Sequence, residues 1–431
     1  MVGETDVTAI AAERIDLKSS APVEQARRYD VLDAVRGFAL FGIFLANIRL
    51  FSGWEFMSPD QRAEIGGGLV GAYEAFHIAI IDGKFYTLFS LLFGIGFSLQ
   101  ISRLTASGPR GVWIYVRRLT VLLAIGFIHL VMFWVGDILT PYAILGFALL
   151  LTHKWSDRTV LVAACISFLS VPVGYLLAMQ AGIAMDMGFY ALGGGFLAQH
   201  IAGFQGDILQ LVQSDRWSTF FAFNNGGALI RVGYLLESWR LPKLLFIMLM
   251  GIWVGRQIVQ RNLLANTGFL KKVAAGGLLM GLPLSLLYAK LGVVTAFAGP
   301  ASWDGLVKTT VYIFSVFPLG FAYGALFVLA WQYKPAMLRW FSAPGRMALT
   351  NYLGQTLIGI ALFYGIGFDL AGSMGPVGFL STALLIYAGQ VFLSNVWMAR
   401  FQFGPMEWLW RSITYGKIFT LRRASASNVS N

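Results

Sequence analysis

Cysteine is nearly missing from this chain, with one residue, Cys165, in 431. No intrachain disulfide can form, and no cysteine-based metal cluster can be built. Charge is scarce too: Asp, Glu, Lys and Arg together make up 12% of the residues. A water-soluble globule of this length needs more polar surface. With 57% hydrophobic residues and a mean hydropathy of +0.68, the chain reads as an integral membrane protein. There is no Walker loop, dinucleotide fingerprint, HExxH pair or close pair of intramembrane carboxylates, so ATP hydrolysis, hydride transfer and zinc proteolysis are not expected, nor is a metal. The net charge of +11 is better matched to basic cytoplasmic loops than to nucleic acid, and no nucleic-acid partner is expected.

What is present is a series of apolar runs, several reaching the roughly 20 residues that cross a hydrocarbon core. Ten centre near Leu40, Leu92, Ala124, Ala148, Phe168, Leu249, Leu282, Phe321, Leu357 and Leu385. The expected fold is an all-α polytopic membrane helix bundle of about ten transmembrane helices. Arg27, Arg28, Arg103, Arg110, Arg158, Arg256, Lys271, Lys272 and Arg339 fall on one side of these spans, which predicts both termini in the cytoplasm. Residues 1–29 lack a continuous apolar core, do not read as a signal peptide, and are expected to be a disordered cytoplasmic tail. Residues 30–420 then form a single transmembrane domain, and 421–431 a flexible cytoplasmic C-terminus. An outer segment at about 181–243 interrupts the rhythm. Within it, "FLAQHIAGFQGDILQLVQSDRW" is spaced as an amphipathic helix at the interface, serving as a lid or a plain connector.

Polar groups inside such spans are costly, and mark functional sites or buried pairs. "HLVMFWVGDILTPY" keeps His129, Asp137 and Tyr142 in oily surroundings. Asp137 follows His129 by eight residues and is placed to orient its imidazole. Arg118 precedes His129 by eleven residues, about 16 Å along a helix and nearly the same angle. Arg36 and Asn47 repeat that spacing on the first span, with Asp33 three residues before Arg36. A snorkelling arginine paired to Asp33 and an interhelical asparagine bond would account for these equally well. Asp82 and Lys84 stand at the outer mouth of the second span, where Gly94 and Gly96 favour close helix packing. His77 is a weaker catalytic candidate, with no partner fixed near it. "GRMALTNYLGQTLIG" carries Arg346, Asn351 and Gln355, with the two amides on one face as a polar cavity wall. Glu407 and Arg411 are i,i+4 in an aromatic interfacial helix.

Five ordered motifs, "RYDVLDAVRGFALFGIFLANI", "GKFYTLFSLLFGIGFSL", "RRLTVLLAIGFIHLVMFWVGDILTPYAILG", "GRMALTNYLGQTLI" and "FGPMEWLWRSITYGK", resemble the YeiB-type family of bacterial multi-pass membrane proteins, a family of unknown function. They run from about Arg28 to Lys417. The resemblance implies the bacterial inner membrane. The amino-terminal part is also similar to a wider group of transmembrane acyltransferases that includes heparan glucosaminide acetyltransferase, through Asp33, Arg36, Gly37 and Asn47. Those enzymes place a catalytic histidine in a His-Ala-x-Trp-Asn-Gly context. His77 in "AFHIAI" departs from it, which leaves His129 as the candidate from this sequence's own pattern.

The expected activity is acyl transfer from cytosolic acyl-CoA, acetyl-CoA foremost, to a hydroxyl or amine on an envelope or small-molecule acceptor at the outer side. His129 would be the general base, Asp137 its orienting group, and Asn47 or Asn351 the oxyanion donor. Asp33, Arg36, Lys84, Arg117, Arg118, Tyr142, Arg346, Asn351 and Gln355 would bind donor and acceptor, with the phosphates on the inner arginines. The alternative is a proton-coupled small-molecule transporter or exporter using the same groups; a third reading is an assembly partner for envelope enzymes. Membrane lipids are expected partners. Gly251/Gly255 and Gly320/Gly324 give GxxxG spacings suited to a homodimer or to internal packing.

Overall fold

The computed structural model describes residues 30–106, 109–292 and 301–423. The expected amino-terminal tail and nearly all of the expected flexible C-terminus lie outside these residues. Among the described residues, eighteen α-helices run in chain order: α1 Asp30–Phe51, α2 Pro59–Gly66, α3 Val70–Phe76, α4 Lys84–Ala106, α5 Pro109–Ile128, α6 Leu139–Leu150, α7 Asp157–Gln180, α8 Phe189–His200, α9 Ile208–Val212, α10 Trp217–Glu237, α11 Arg240–Arg261, α12 Thr267–Leu291, α13 Trp303–Tyr333, α14 Pro335–Leu338, α15 Ser342–Arg346, α16 Ala348–Phe363, α17 Pro376–Arg400 and α18 Pro405–Tyr415. The only strand-like pairing among those residues is an isolated antiparallel bridge between Phe401 and Arg422.

Eight stretches are long and apolar enough to span a membrane, and α6 and α16 are shorter apolar helices. Together they account for all ten apolar centres of the sequence, so the chain is an all-α, multi-pass membrane protein. Local chemistry starts the helices where they start. Asp30 and Asp33 lie in the first turn of α1 and Arg49 in its last, each sign matched to the helix dipole. Ser156, Asn266 and Ser302 accept the third-residue N–H of α7, α12 and α13.

The spans are not equally buried. The apolar cores of α1, α4, α11 and α13 are mostly enclosed, whereas α5, α7, α12 and α17 present Phe127, Ile166, Leu279 and Leu385 outward. Exposed apolar side chains are stable only where the surroundings are themselves apolar. Small residues bring the inner helices into backbone contact: a Cβ on Gly94 would lie 2.1 Å from the Met248 carbonyl oxygen, and one on Gly251 2.3 Å from that of Leu91. Gly255 sits on Ser98, and Gly320 on Thr87. Both GxxxG pairs thus serve packing inside the chain.

Two turns break the spans at the end of the bundle where α1 finishes, here called the far end. His77–Ile81 and His129–Phe133 are single π-helical turns, each beginning with a histidine. The segment expected as one amphipathic helix is also different. It is the end of α8, a turn in which Gly203 and Gly206 take φ of 75° and 97°, the short α9, and the approach to α10. Two positive-φ glycines within four residues cannot continue a helix. In place of a surface helix, α10 packs between α8 and the turn that starts at His129.

Candidate functional site

A helix start leaves its first N–H groups without partners inside the helix. At α6 that demand is met by Asp137, whose Oδ1 accepts from Leu139 N at 3.1 Å and Oδ2 from Thr140 N at 2.7 Å. The same carboxylate reaches His129, with Oδ1 2.9 Å from Nδ1. On the other side of the ring, Nε2 lies 2.9 Å from Thr356 Oγ1 on α16. Exposure is 2% for His129, 1% for Asp137 and 2% for Thr356. Tyr352, one turn before Thr356, packs its ring 5.3 Å from the imidazole and accepts Ile138 N on its hydroxyl. Trp134 closes the other face and stacks on Phe51 of α1.

The tautomer is set by these partners. An oxygen that accepts amide N–H groups faces Nδ1, so Nδ1 carries the proton and donates it. Nε2 is then the acceptor, and the Thr356 hydroxyl donates to it. Hydroxyl, imidazole and carboxylate stand in the order of an activated nucleophile, its base and the base's orienting group. Among the described residues no group of three or more His, Cys, Asp and Glu is arranged to hold a metal.

The polar path continues through α10. Arg231 donates from Nη2 to the Asp137 carbonyl at 3.2 Å and lies 5.1 Å from the Tyr234 ring. Two turns earlier on the same face, Asn224 is fully buried, and neither Oδ1 nor Nδ2 makes a hydrogen bond. Arg240, at the start of α11, donates to Tyr234 Oη at 3.1 Å and covers Tyr86 at 4.4 Å. Tyr142, a sequence candidate, joins this group at one remove: its hydroxyl is 2.6 Å from Ser90 Oγ. Lys84, wholly buried, donates to the Ile78 carbonyl within the turn after His77.

Comparison with known proteins places the chain in a family. The model of "Protein of unknown function (DUF418)" matches residues 254–417. Over nearly its whole length the chain is similar to curated relatives. It is 30% identical to the "Uncharacterized 39.9 kDa protein in amylase 3'region" of Bacillus acidopullulyticus, over 93% of this chain and 97% of that protein. The chain belongs to the YeiB-type family. It is 29% identical to the uncharacterized protein YxaH of Bacillus subtilis, covering 93% of this chain and 97% of the relative. It is 28% identical to the uncharacterized protein YeiB of Escherichia coli, covering 89% and 95%. The matched family region contains Thr356 but not His129; only the full-length relatives span both halves of the site.

The remaining sequence candidates of this YeiB-type chain are distributed differently. At the near end, where α1 begins, Arg36 donates to Asp33 at 2.7 Å. Arg118 lies 3.8 Å from the Trp410 ring and close enough to Arg36 to feel its charge. Arg117 bonds the Ile413 carbonyl at 3.0 Å, and Arg346 ends α15, which packs on α1. Asn47 is half-buried on α1 and makes no hydrogen bond to His129. Asn351 and Gln355 do not face the imidazole. Asn351 donates to the Pro344 carbonyl and to Ser394 Oγ, and Gln355 donates to Gln390 Oε1 at 2.9 Å, so both join α16 to α17. Their neighbours Tyr352 and Thr356, about 100° around the helix, face the site. Glu407 accepts Leu349 N, Thr350 N and the Thr350 hydroxyl, closing the start of α16, while Arg411 lies 4.5 Å from the Phe403 ring.

Three features of the structure lie beyond the sequence reading. Thr356 is 227 residues from His129. The α10 residues Asn224 and Arg231 belong to a segment whose sequence suggests a connector. Arg49 is buried at the far end and paired to Glu74 at 2.7 Å and Glu55 at 2.8 Å, with Trp54 Nε1 also on Glu74. That knot ties α2 and α3 back to α1. The spacing of Arg49, Glu55 and Arg62 around Trp54 is the one signal that could have found it.

Proposed function

We propose that this protein is a transmembrane acyltransferase that takes an acyl group from acyl-CoA, acetyl-CoA foremost, and delivers it to a hydroxyl or amine acceptor at the far end of the bundle. Both termini and the near end lie in the cytoplasm in this reading, and the membrane is the bacterial inner membrane. The observation that carries it is the buried Thr356–His129–Asp137 series, in which a hydroxyl donates to an imidazole whose other nitrogen is held by a carboxylate.

The donor's phosphates would meet Arg36, Arg117, Arg118 and Arg346, whose charges suit phosphate oxygens. Arg118 and His129 are eleven residues apart, about 16 Å at 1.5 Å per residue, a length that the donor's pantetheine arm can bridge. Thr356 Oγ1 attacks the thioester carbonyl while its proton passes to His129 Nε2. The C–S bond breaks, and the departing sulfur leaves as a thiol with that proton. In the second half, the acceptor's hydroxyl or amine gives its proton to Nε2 and attacks the threonyl ester, which restores the Thr356 hydroxyl. Asp137 holds the imidazolium formed in each half. Asn224, with an unengaged amide on the face of α10 that packs by the His129 turn, is better supplied to donate to the oxyanion than Asn351, whose amide is engaged elsewhere.

The first half-reaction needs no acceptor, which makes it testable now. Purified protein carrying Cys165→Ser, so that no protein thiol interferes, is mixed with acetyl-CoA and longer acyl-CoAs. The expected result is release of thiol with an acyl adduct on the peptide containing Thr356, lost in Thr356→Val and in His129→Ala. If folded protein releases no thiol and instead carries a solute into proteoliposomes unchanged, transport replaces transfer.

A further inference from the structure

Buried cations in this protein come in two kinds. Arg49 is matched by Glu55 and Glu74, as a charge removed from water requires. Arg240 and Lys243, one turn apart at the start of α11, are not matched. Lys243 is 7% exposed, and its ammonium makes neither a hydrogen bond nor an ion pair; it lies 4.6 Å from the centre of the Tyr312 ring. Arg240 lies between the rings of Tyr86 and Tyr234 and donates only to the Tyr234 hydroxyl. Asp82 is the carboxylate whose charge both feel, yet it forms no ion pair within 4 Å with either, and Lys84 shares it. Glu237, three residues before Arg240, is engaged by the Tyr190 hydroxyl, and Asp137, which meets Arg231 through its carbonyl, accepts from His129 and two amides. Three cations, Lys84, Arg240 and Lys243, thus share the charge of one carboxylate, Asp82, with which none of them forms an ion pair.

Rings alone are weak compensation for such charges, since a cation–π contact recovers only a small part of what it costs to take an unmatched ion out of water. From this imbalance we infer that Arg240 and Lys243, with the hydroxyls of Tyr86, Tyr234 and Tyr312, form an anion site at the far end of the bundle that takes a phosphate group. A guanidinium gives paired N–H donors, the ammonium a point charge, and tyrosine hydroxyls neutral donors, a set that fits the three or four oxygens of phosphate. Through Tyr234, Arg231 connects this site to the backbone carbonyl of Asp137. Two sources share that chemistry: a phospholipid headgroup, because both cations sit at the end of a membrane span, and a soluble phosphomonoester. The assignment does not rest on acyl transfer, because binding is read with no acyl donor present.

The experiment is calorimetry on the full chain in a neutral maltoside detergent, with glycerol 1-phosphate in one arm and dioctanoyl phosphatidylglycerol in the other. Saturable binding is expected in at least one arm, weakened at least tenfold by Lys243→Gln and kept by Lys243→Arg. Glycerol 1-phosphate binding assigns a soluble source, and phosphatidylglycerol binding alone a lipid one. Because the glutamine variant can fail to fold, melting is followed as well. The ligand-free Lys243→Met protein is expected to melt no lower than wild type and to lose the rise that the bound phosphate gives. Binding in neither arm, binding equal in wild type and Lys243→Gln, or a Lys243→Met protein that unfolds while neither probe raises the wild-type melting temperature, overturns the site.

Discussion

The chain makes the same backbone turn twice at one end of the bundle, and the two turns hold their histidines differently. His77–Ile81 and His129–Phe133 are each one π-helical turn, closed by an N–H from the residue after the turn to the histidine carbonyl at 2.8 Å. Each is succeeded by an aspartate, Asp82 or Asp137. His129 has a partner on both nitrogens, whereas the buried Nε2 of His77 has none. The route of the chain beyond each turn makes the difference. Asp82 is next to the turn, and Gly83 at φ 78° leads straight into α4, so its carboxylate is carried away toward the α11 cations. Asp137 comes three residues later and is recruited by the start of α6, whose amides aim it back at the imidazole. Capping a helix thus positions the orienting acid of the relay. π-Turns are frequent at functional sites, but here the turn alone does not make one.

The largest expected effect separates the two histidines by activity. His129→Ala should lower acyl transfer by on the order of 10²–10⁴-fold, and His77→Ala by no more than a few-fold, as read by thiol release from acetyl-CoA. Comparable losses in both would erase the distinction between the turns. Next is Asp137→Asn, whose single amide oxygen can accept either Thr140 N, or Leu139 N and Nδ1 of His129, while its NH2 is turned toward the donors that remain. Transfer should fall by about 10²-fold or more, with the variant still showing a helical circular dichroism spectrum; a variant as active as wild type would detach Asp137 from the chemistry.

Smaller effects concern stability. Thr356→Val leaves Nε2 of His129 buried and unbonded, which should cost about 1–3 kcal/mol, whereas His77→Phe replaces an already unbonded nitrogen and should melt at or above the wild-type temperature. Equal destabilisation of the two would mean that His77 has a partner in the membrane. Least is Glu407→Ala, which removes the closure of α16 at the other end of the bundle. It should cost about 1–2 kcal/mol, with transfer per folded molecule nearly unchanged; a large loss of turnover would show that α16 must be fixed at both ends.

How far each feature is legible in the sequence depends on the range of the interaction behind it. Every apolar span is legible, because hydrophobic length is a property of consecutive residues. The His129–Asp137 pair is too, because eight residues and one glycine suffice to bring the two together. Thr356 is not, since nothing local distinguishes the threonine that meets a histidine from the one next to a membrane lipid. Asn351 and Gln355 are recognisable as polar and on one face, but which neighbour that face meets is decided by Gln390 and Ser394, on a helix docked from elsewhere. The cations of α11 do not stand out because charge at a span's end is ordinary; what sets Lys243 apart is that no acid comes close enough to form an ion pair with it.

The α15–α16 corner has a mechanical meaning. A Cβ on Gly345 would lie 1.7 Å from the Asp33 carbonyl oxygen, so α1 and α15 are in backbone contact. Shortly beyond Gly345 the rod of α16 begins, and it carries Thr356 about 12 Å away at 1.5 Å per residue. A helix that short does not bend appreciably without a break, and none interrupts α16. The hydroxyl on the imidazole therefore keeps a fixed distance from the start of α16, and the break at Met347 separates that rod from the α1–α15 contact.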